Sequence, residues 1–346
     1  MSFGVAFVTS FLLALAATPL VRRFAIAIGA MDHPNSRKVH LKPVARLGGL
    51  AIFFAFVLVV LAMLPVGRQL GALLGGVFVL VVLGAVDDIR GLKPLTKLLW
   101  QIVAACVVLA GGIGITTITN PFGGIIDLSW GRFAVDLLGF DFHITPIANL
   151  LSVIWMVGLV NAINFLDGLD GLACGVSGIA ALVMFALAIQ VGQPVVALLA
   201  IILAGSALGF LPYNFFPARI FMGDSGAYFL GLTLALLAIY SGGKLATAAL
   251  VLGFVIVDAL WAAVRRIRRG THPFKADREH LHHLMLAAGL SQRTAVLLLY
   301  SLAIFFGIIA LASTSFSKFL ALVALFCFMV VLLTALVKIN ARRGEG

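Results

Sequence analysis

Four polar side chains spaced three residues apart mark the stretch NAINFLDGLDGLACG (161–175): the amides Asn161 and Asn164 and the carboxylates Asp167 and Asp170. The flanking segments, LLSVIWMVGLV before and VSGIAALVMFALAI after, are almost wholly apolar. An Asp near the centre of a membrane helix costs about 2.5–3.5 kcal/mol, so the cluster needs a reason. A solvated turn with helix caps accounts for the Asp-Gly steps. It does not account for two asparagines one helical turn apart just before them.

Four further polar clusters punctuate the chain. Asp32 to His40 (DHPNSRKVH) precedes PVARLGG (43–49); its basic residues can anchor a helix end to anionic lipid or line a phosphate site. Asp87-Asp88 is followed by IRGLKPLTK, with Lys93 and Lys97. Adjacent carboxylates repel and want a cation or strong hydrogen bonds; the lysines can snorkel from helix ends or clamp phosphate. In FFPARIFMGDSG (215–226), Asp224 stands where a helix should begin, as an N-cap would, and the neighbouring glycines leave room for phosphate or metal to approach backbone. In HPFKADREHLHHL (272–284), Asp277 can cap a short helix ended by Gly289, with Leu281, Leu284, Met285 and Ala288 forming a stripe suited to the membrane interface. A histidine trio invites zinc, but no cysteine is near, and oxygen-rich ligand sets favour magnesium or calcium. Asp258, deep in an apolar run, reads equally as a structural partner or a functional group.

The elements that must position these residues are membrane helices. Of 346 residues 62% are hydrophobic and 11% charged, with mean hydropathy +1.17, a composition outside the soluble range. Apolar runs near 3–21, 47–64, 70–86, 98–112, 146–163, 171–190, 194–212, 221–240, 244–264, 294–312 and 317–338 predict an all-α polytopic protein of about 11 spans. The first run should be retained as a span rather than cleaved as a signal. With the N-terminus outside and the C-terminus inside, 20 of the 24 Lys and Arg fall on inner segments. Net charge +11 therefore reads as topology and not as nucleic-acid binding. All five polar clusters then share the inner face. The outer connection 113–145 predicts a small external hairpin, from alternation at Ile115–Thr119 and turn signals at Asn120-Pro121 and Gly123-Gly124. Segment 265–293 is an inner, histidine-containing loop. Cys106, Cys174 and Cys327 are expected as small core residues without disulfides.

In this order, the Asp87-Asp88/GLKPLTK, NAINFLDGLDGLA, ARIFMGDSG and HPFKADREHLHH motifs resemble the polyprenyl-phosphate N-acetylhexosamine-1-phosphate transferases. The likeness runs from Asp32 through His283. It is closest to the undecaprenyl-phosphate GlcNAc-1-phosphate transferase branch that starts O-antigen, enterobacterial common antigen or teichoic acid. The muramoyl-pentapeptide branch, the alternative, has an unbroken histidine triplet and a TMGG segment; here Leu281 splits the histidines and Arg46-Leu47-Gly48-Gly49 stands in place of TMGG.

The resemblance implies transfer of a sugar-1-phosphate from a UDP-N-acetylhexosamine to undecaprenyl phosphate within the bacterial inner membrane, at its cytoplasmic face, with Mg2+ required and Mn2+ able to substitute. Asn164 and Asp224 would hold the metal. Asp170 and Phe221 would face the uracil, with Asp167 in support. Lys97, His280, His282 and His283 would hold phosphate charge, and Asp87 and Asp88 would meet the lipid phosphate. Asn161, Arg219 and Arg278 complete the expected substrate contacts. The resemblance further implies a homodimer. A secondary transporter, which also keeps acids in a bundle, is the rival from another class; internal repeats, its usual signature, are not found.

Overall fold

The computed structural model describes residues 2–34, 43–137, 140–242, 245–268, 270 and 280–344. Arg278 and the expected cap Asp277 lie outside the described residues, as do Asn35 to Lys42 of the first polar cluster. Helix α1 (Phe3–Ala27) is followed by the short strands β1 (Met31–Asp32) and β2 (Val44–Ala45), then by α2 (Gly49–Met63), α3 (Arg68–Arg90) and α4 (Pro94–Ala110). Strands β3 (Thr117–Thr119), β4 (Ile125–Asp127), β5 (Phe133–Leu137) and β6 (Phe140–Ile144) lead into α5 (Pro146–Leu166), α6 (Leu172–Gln190), α7 (Pro194–Asn214) and α8 (Gly223–Tyr240). The chain closes with α9 (Leu245–Val251), α10 (Gly253–Arg268), α11 (Leu281–Ala287), α12 (Gln292–Ala312) and α13 (Ser315–Gly344).

Local sequence accounts for many of these boundaries. Proline opens α4, α5 and α7, where its missing N–H is no loss and its fixed φ suits a first turn. Gly91 at φ 68° ends α3 three residues after Asp88. α1 runs past the expected end at residue 21 and carries Pro19 inside it.

Among the described residues, eight helices are long and apolar enough to cross a membrane, or nine if α9 and α10 form one broken span. α2 and α4 are apolar but shorter, at 15 and 17 residues. The run expected as one span over 244–264 is bent by 79° between α9 and α10. Gly253 sits at that bend, where a side chain would strike Leu325 on α13. The central helices α6, α7 and α8 are the most enclosed, whereas α1 and α13 present much of their apolar surface outward. α1 closes on α7 through small residues: a Cβ on Gly205 would lie 2.1 Å from Ser10 Oγ, and one on Gly209 would lie 2.2 Å from the Phe11 carbonyl. Apolar helices in lipid gain most from such close packing.

Three expectations are corrected. Segment 113–145 forms two antiparallel hairpins, β3–β4 and β5–β6, rather than one, and β1–β2 adds a third pairing. Its first turn is as expected, with Asn120 Oδ1 accepting from Phe122 N–H. The stripe on α11 does not face the membrane interface: Leu281, Leu284 and Met285 are buried, because α11 packs on α12 and α13, with Asn340 donating to the Leu284 carbonyl. Of the three free cysteines, Cys174 alone is buried, donating to the Ala207 carbonyl; Cys106 and Cys327 lie on outer helix surfaces.

Candidate active site

The described residues of the polar clusters meet at one end of the bundle, where α3, α5 and α7 finish and α4, α6 and α8 begin. Asp224 lies in the first turn of α8, where backbone N–H groups and the helix dipole favour negative charge. Its Oδ1 accepts from Asn164 Nδ2 at 3.0 Å, near the C-terminus of α5. Its Oδ2 accepts from Lys97 Nζ at 3.0 Å, in the first turn of α4, and from the Tyr228 hydroxyl at 3.0 Å. Lys97 also pairs with Asp87 at the end of α3. One ammonium thus bridges two carboxylates from different helices and offsets their repulsion. Lys97 and Asp224 remain about a quarter exposed, so a ligand can reach both.

Asp87 and Asp88 do not act as a pair. Consecutive residues on a helix project about 100° apart, and the two carboxylates have different partners. Asp87 takes Lys97 and the Leu92 N–H. Asp88 faces the start of α8, accepting from Asp224 N–H at 3.0 Å and from the N–H and hydroxyl of Ser225 at 3.3 and 3.1 Å. It caps a neighbouring helix in trans, and Arg46 lies 3.9 Å from it. The two acids expected at the lipid phosphate are thus held by different partners, Asp87 at Lys97 and Asp88 at the start of α8.

Arg46 enters through a stitched pair of loops. Phe221 N–H donates to the Ala45 carbonyl, while Gly48 and Gly49 N–H groups donate to the carbonyls of Phe221 and Met222. These bonds hold buried Leu47 at φ 72°, a region leucine occupies only when its surroundings impose it. The guanidinium of Arg46 then reaches Asp32 at 2.5 Å as well as Asp88. Asp170 braces the other side of the same loop, accepting from the Ala218 N–H at 2.9 Å. Phe221 is half-buried at the junction. Arg219 is exposed, and its carbonyl accepts from Arg22. Asn161 is drawn away from this cluster: its amide exchanges hydrogen bonds with Gln101, one turn beyond Lys97 on α4.

Burial pushes the Asp167 carboxyl well above the ordinary carboxylate range, aided by Asp224, Asp88 and Asp170 and opposed by Arg46. A raised folded-state value means the native protein holds a proton that the unfolded chain has lost, so stability falls as pH rises from the ordinary carboxylate range through that raised value. Asp167→Asn is expected to flatten this decline and to raise the midpoint at neutral pH. Thermal unfolding of the detergent-solubilised protein across a pH series reads it directly; an unchanged slope would show that Asp167 is not the group responsible.

The histidines approach from α11. His280 Nδ1 lies 2.9 Å from Asp258 Oδ2, and its Nε2 lies 3.3 Å from Arg266. Both ring nitrogens of His280, expected among the phosphate contacts, are therefore engaged within the protein. Burial, with His283 and His280 adding to it, holds His282 well below the ordinary imidazole range, hence neutral. Among the described residues its Nε2 has no hydrogen-bond partner, and it points at Gly168, beside Asp167. The ring of His283 lies 4.3 Å from that of His282.

The glycines beside Asp224, expected to leave room for phosphate or metal, instead accommodate protein atoms, as does Gly168. A Cβ on Gly168 would strike His282, one on Gly223 (φ 74°) would strike the Asp88 carboxylate, and one on Gly226 would strike Met222. Sequence reasoning passed over Arg46, Gln101, Ser225 and Tyr228 as site residues. Tyr228 was within reach, being four residues from Asp224 and so on its helix face. Among the described residues no three His, Cys, Asp or Glu side chains converge as a closed metal cage. Asp224 and Asn164, side by side and oxygen-bearing, fit the sparse protein contribution that magnesium takes when phosphates supply further ligands.

A sequence profile described as glycosyl transferase family 4 matches residues 70–242. A probable undecaprenyl-phosphate N-acetylglucosaminyl 1-phosphate transferase of Bacillus subtilis is 37% identical over 333 residues, covering 94% of this chain and 89% of the relative. A decaprenyl-phosphate N-acetylglucosaminephosphotransferase of Mycolicibacterium smegmatis is 34% identical, with 86% and 78% covered. An undecaprenyl-phosphate alpha-N-acetylglucosaminyl 1-phosphate transferase of Haemophilus influenzae is 32% identical, with 86% and 82% covered. The profile takes in Asp87, Lys97, Asn164, Asp170 and Asp224, and the relatives extend the likeness over nearly the whole chain. The chain therefore belongs to glycosyl transferase family 4, as a transferase built on multiple membrane-capable helices.

Proposed function

We propose that the protein transfers N-acetylglucosamine-1-phosphate from UDP-N-acetylglucosamine to undecaprenyl phosphate, releasing UMP, as the first membrane step in building an envelope polymer. The observation that carries this reading is the meeting of Lys97, Asn164 and Asp224 from three helices at one end of an apolar bundle. The names of the relatives support the acceptor and the sugar phosphate. The topology goes with it: 11 spans, counting α2, α4 and the α9–α10 pair, in the bacterial cytoplasmic membrane, with the N-terminus outside and the site on the cytoplasmic face. There a soluble nucleotide sugar can meet a lipid phosphate.

An oxygen of the lipid phosphate attacks the phosphorus bonded to the sugar. The bond from that phosphorus to the bridging oxygen breaks, and UMP leaves with the electron pair. Phosphoryl transfer of this kind needs positioning and charge neutralisation more than covalent catalysis. Asp224 and Asn164 would hold Mg2+, which when bound neutralises charge on the diphosphate. Lys97, kept in place by Asp87 and Asp224, adds a fixed positive charge to the same phosphates. Asp170 and Phe221 would receive the uracil, with Asp170 holding the 215–221 loop through Ala218. A phosphomonoester has a second pKa of about 6, so the acceptor is largely dianionic at neutral pH, and Asp87 orients it without having to remove a proton.

The test is UMP release by the purified full-length protein supplied with UDP-N-acetylglucosamine, undecaprenyl phosphate and Mg2+. Release is expected to stop on chelation and resume on adding Mg2+. Ion flux through proteoliposomes without UMP release would overturn the reading. Preference for a UDP-muramoyl-pentapeptide would move the chain to the other branch.

A further inference from the structure

Asp258 is 7% exposed on α10, and the substrate contacts proposed above do not use it. Both of its oxygens are spent on the start of α11. Oδ1 accepts the Leu281 N–H at 2.8 Å, one of the donors a helix start leaves unpaired. Oδ2 meets His280 Nδ1 at 2.9 Å. On the other side of the ring, Arg266 lies two turns beyond Asp258 on the same buried stripe of α10, and its Nη2 donates to His280 Nε2 at 3.3 Å. An arginine can only donate, so Nε2 accepts and the ring proton sits on Nδ1, facing the carboxylate. Arg266 and His280 also lie over Phe165, with centroid distances of 5.9 and 5.4 Å. Phe165 adjoins Asn164, and His282, two residues beyond His280, reaches Gly168 beside Asp167. A continuous set of contacts thus joins α10 to the end of α5 through the histidine segment.

We propose that Asp258 is a positioning residue: with Arg266 it clamps His280 and the first turn of α11, so that His282 and His283 are presented over the Asn164–Asp170 end of the site. His280 then serves the clamp, with His282 packed on Gly168 and the half-buried His283 beside it. The kinetic part of this inference rests on the proposed reaction.

Asp258→Asn tests it with little change in shape. An asparagine can still accept the Leu281 N–H, but its amide N–H then meets the Nδ1–H of His280. The ring could answer only by moving its proton to Nε2, where Arg266 already donates. The clamp must therefore loosen. In the full-length protein, amide hydrogen exchange over 281–287 is expected to quicken, while that of α8 stays unchanged. The kcat is expected to fall about tenfold, short of the ~10²-fold that a displacement of ~1 Å can cost, with the KM for UDP-N-acetylglucosamine unchanged. His280→Gln, which removes the same ring contacts but leaves the Asp258–Leu281 bond, should show the same split and serves if Asp258→Asn does not fold. Exchange over 281–287 as slow as in the wild type would refute the clamp, whatever the wild-type turnover. Faster exchange with kcat within about twofold would refute the positioning role. If the wild type itself releases no UMP, the proposed function fails, and the exchange measurement still decides the clamp.

Discussion

Asp224→Ala is expected to retain the fold and lose turnover by about 10³-fold, and raising Mg2+ should not restore it. Asp224 is the residue on which Lys97, Asn164 and Tyr228 converge, and truncating it removes the one carboxylate that orients all three. The fold should survive because Lys97 keeps Asp87 and because Asp88, not Asp224, caps α8. Removing a carboxylate from beside Asp87, Asp88 and Asp167 also relieves repulsion. UMP release measured over a magnesium titration, alongside thermal unfolding, separates these effects. Recovery of the normal rate at high Mg2+ would show that Asp224 does not hold the metal. Tyr228→Phe, which removes one hydrogen bond and no charge, should cost far less.

The architecture was legible from hydropathy because lipid demands long apolar helices. The places it misjudged have local causes. The bend at Gly253 depends on how closely α13 approaches, which no pattern within 244–264 records. The stripe on α11 resembles an interfacial helix because protein and lipid reward the same residues; only the position of α12 and α13 decides between them. In the site, motif order placed Lys97, Asn164 and Asp224 together, since polar residues at the ends of adjacent apolar helices have few other places to gather. Which atom each would engage was not legible. The separation of Asp87 from Asp88 follows from helix geometry and could have been foreseen; Arg46 as the partner of Asp32 and Asp88 could not, because two loops must first be stitched together. Glycines were misread for a related reason: a sequence shows that a side chain is missing, but not whether a ligand or another helix fills the space.

Gly84→Ala tests that last distinction. Gly84 lies one turn before Asp88 on α3, directly beneath the start of α8. A Cβ there would lie 2.4 Å from both the nitrogen and the Cα of Ser225 and 2.6 Å from the carbonyl carbon of Asp224. These are backbone atoms, so no rotamer change can relieve the contact; α8 must move away from α3. That movement lengthens the bonds from Asp88 to the Asp224 and Ser225 N–H groups and shifts the Asp224 carboxylate from Lys97 and Asn164. Overpacking of this kind typically costs about 1–3 kcal/mol, and a displacement of ~1 Å at the site can cost about 10²-fold in rate. Gly71→Ala on the same helix is the control, because its Cβ would meet only Val66, at 3.9 Å. The control should be neutral or slightly stabilising, since alanine is favoured over glycine in a helix interior by about 0.8–1 kcal/mol. Measured side by side, a lowered midpoint and a large rate loss in Gly84→Ala alone would place the cause in the α3–α8 contact. Wild-type midpoint and turnover in Gly84→Ala would mean that α8 is not seated on α3 in this way, and that Asp88 does not hold its first turn.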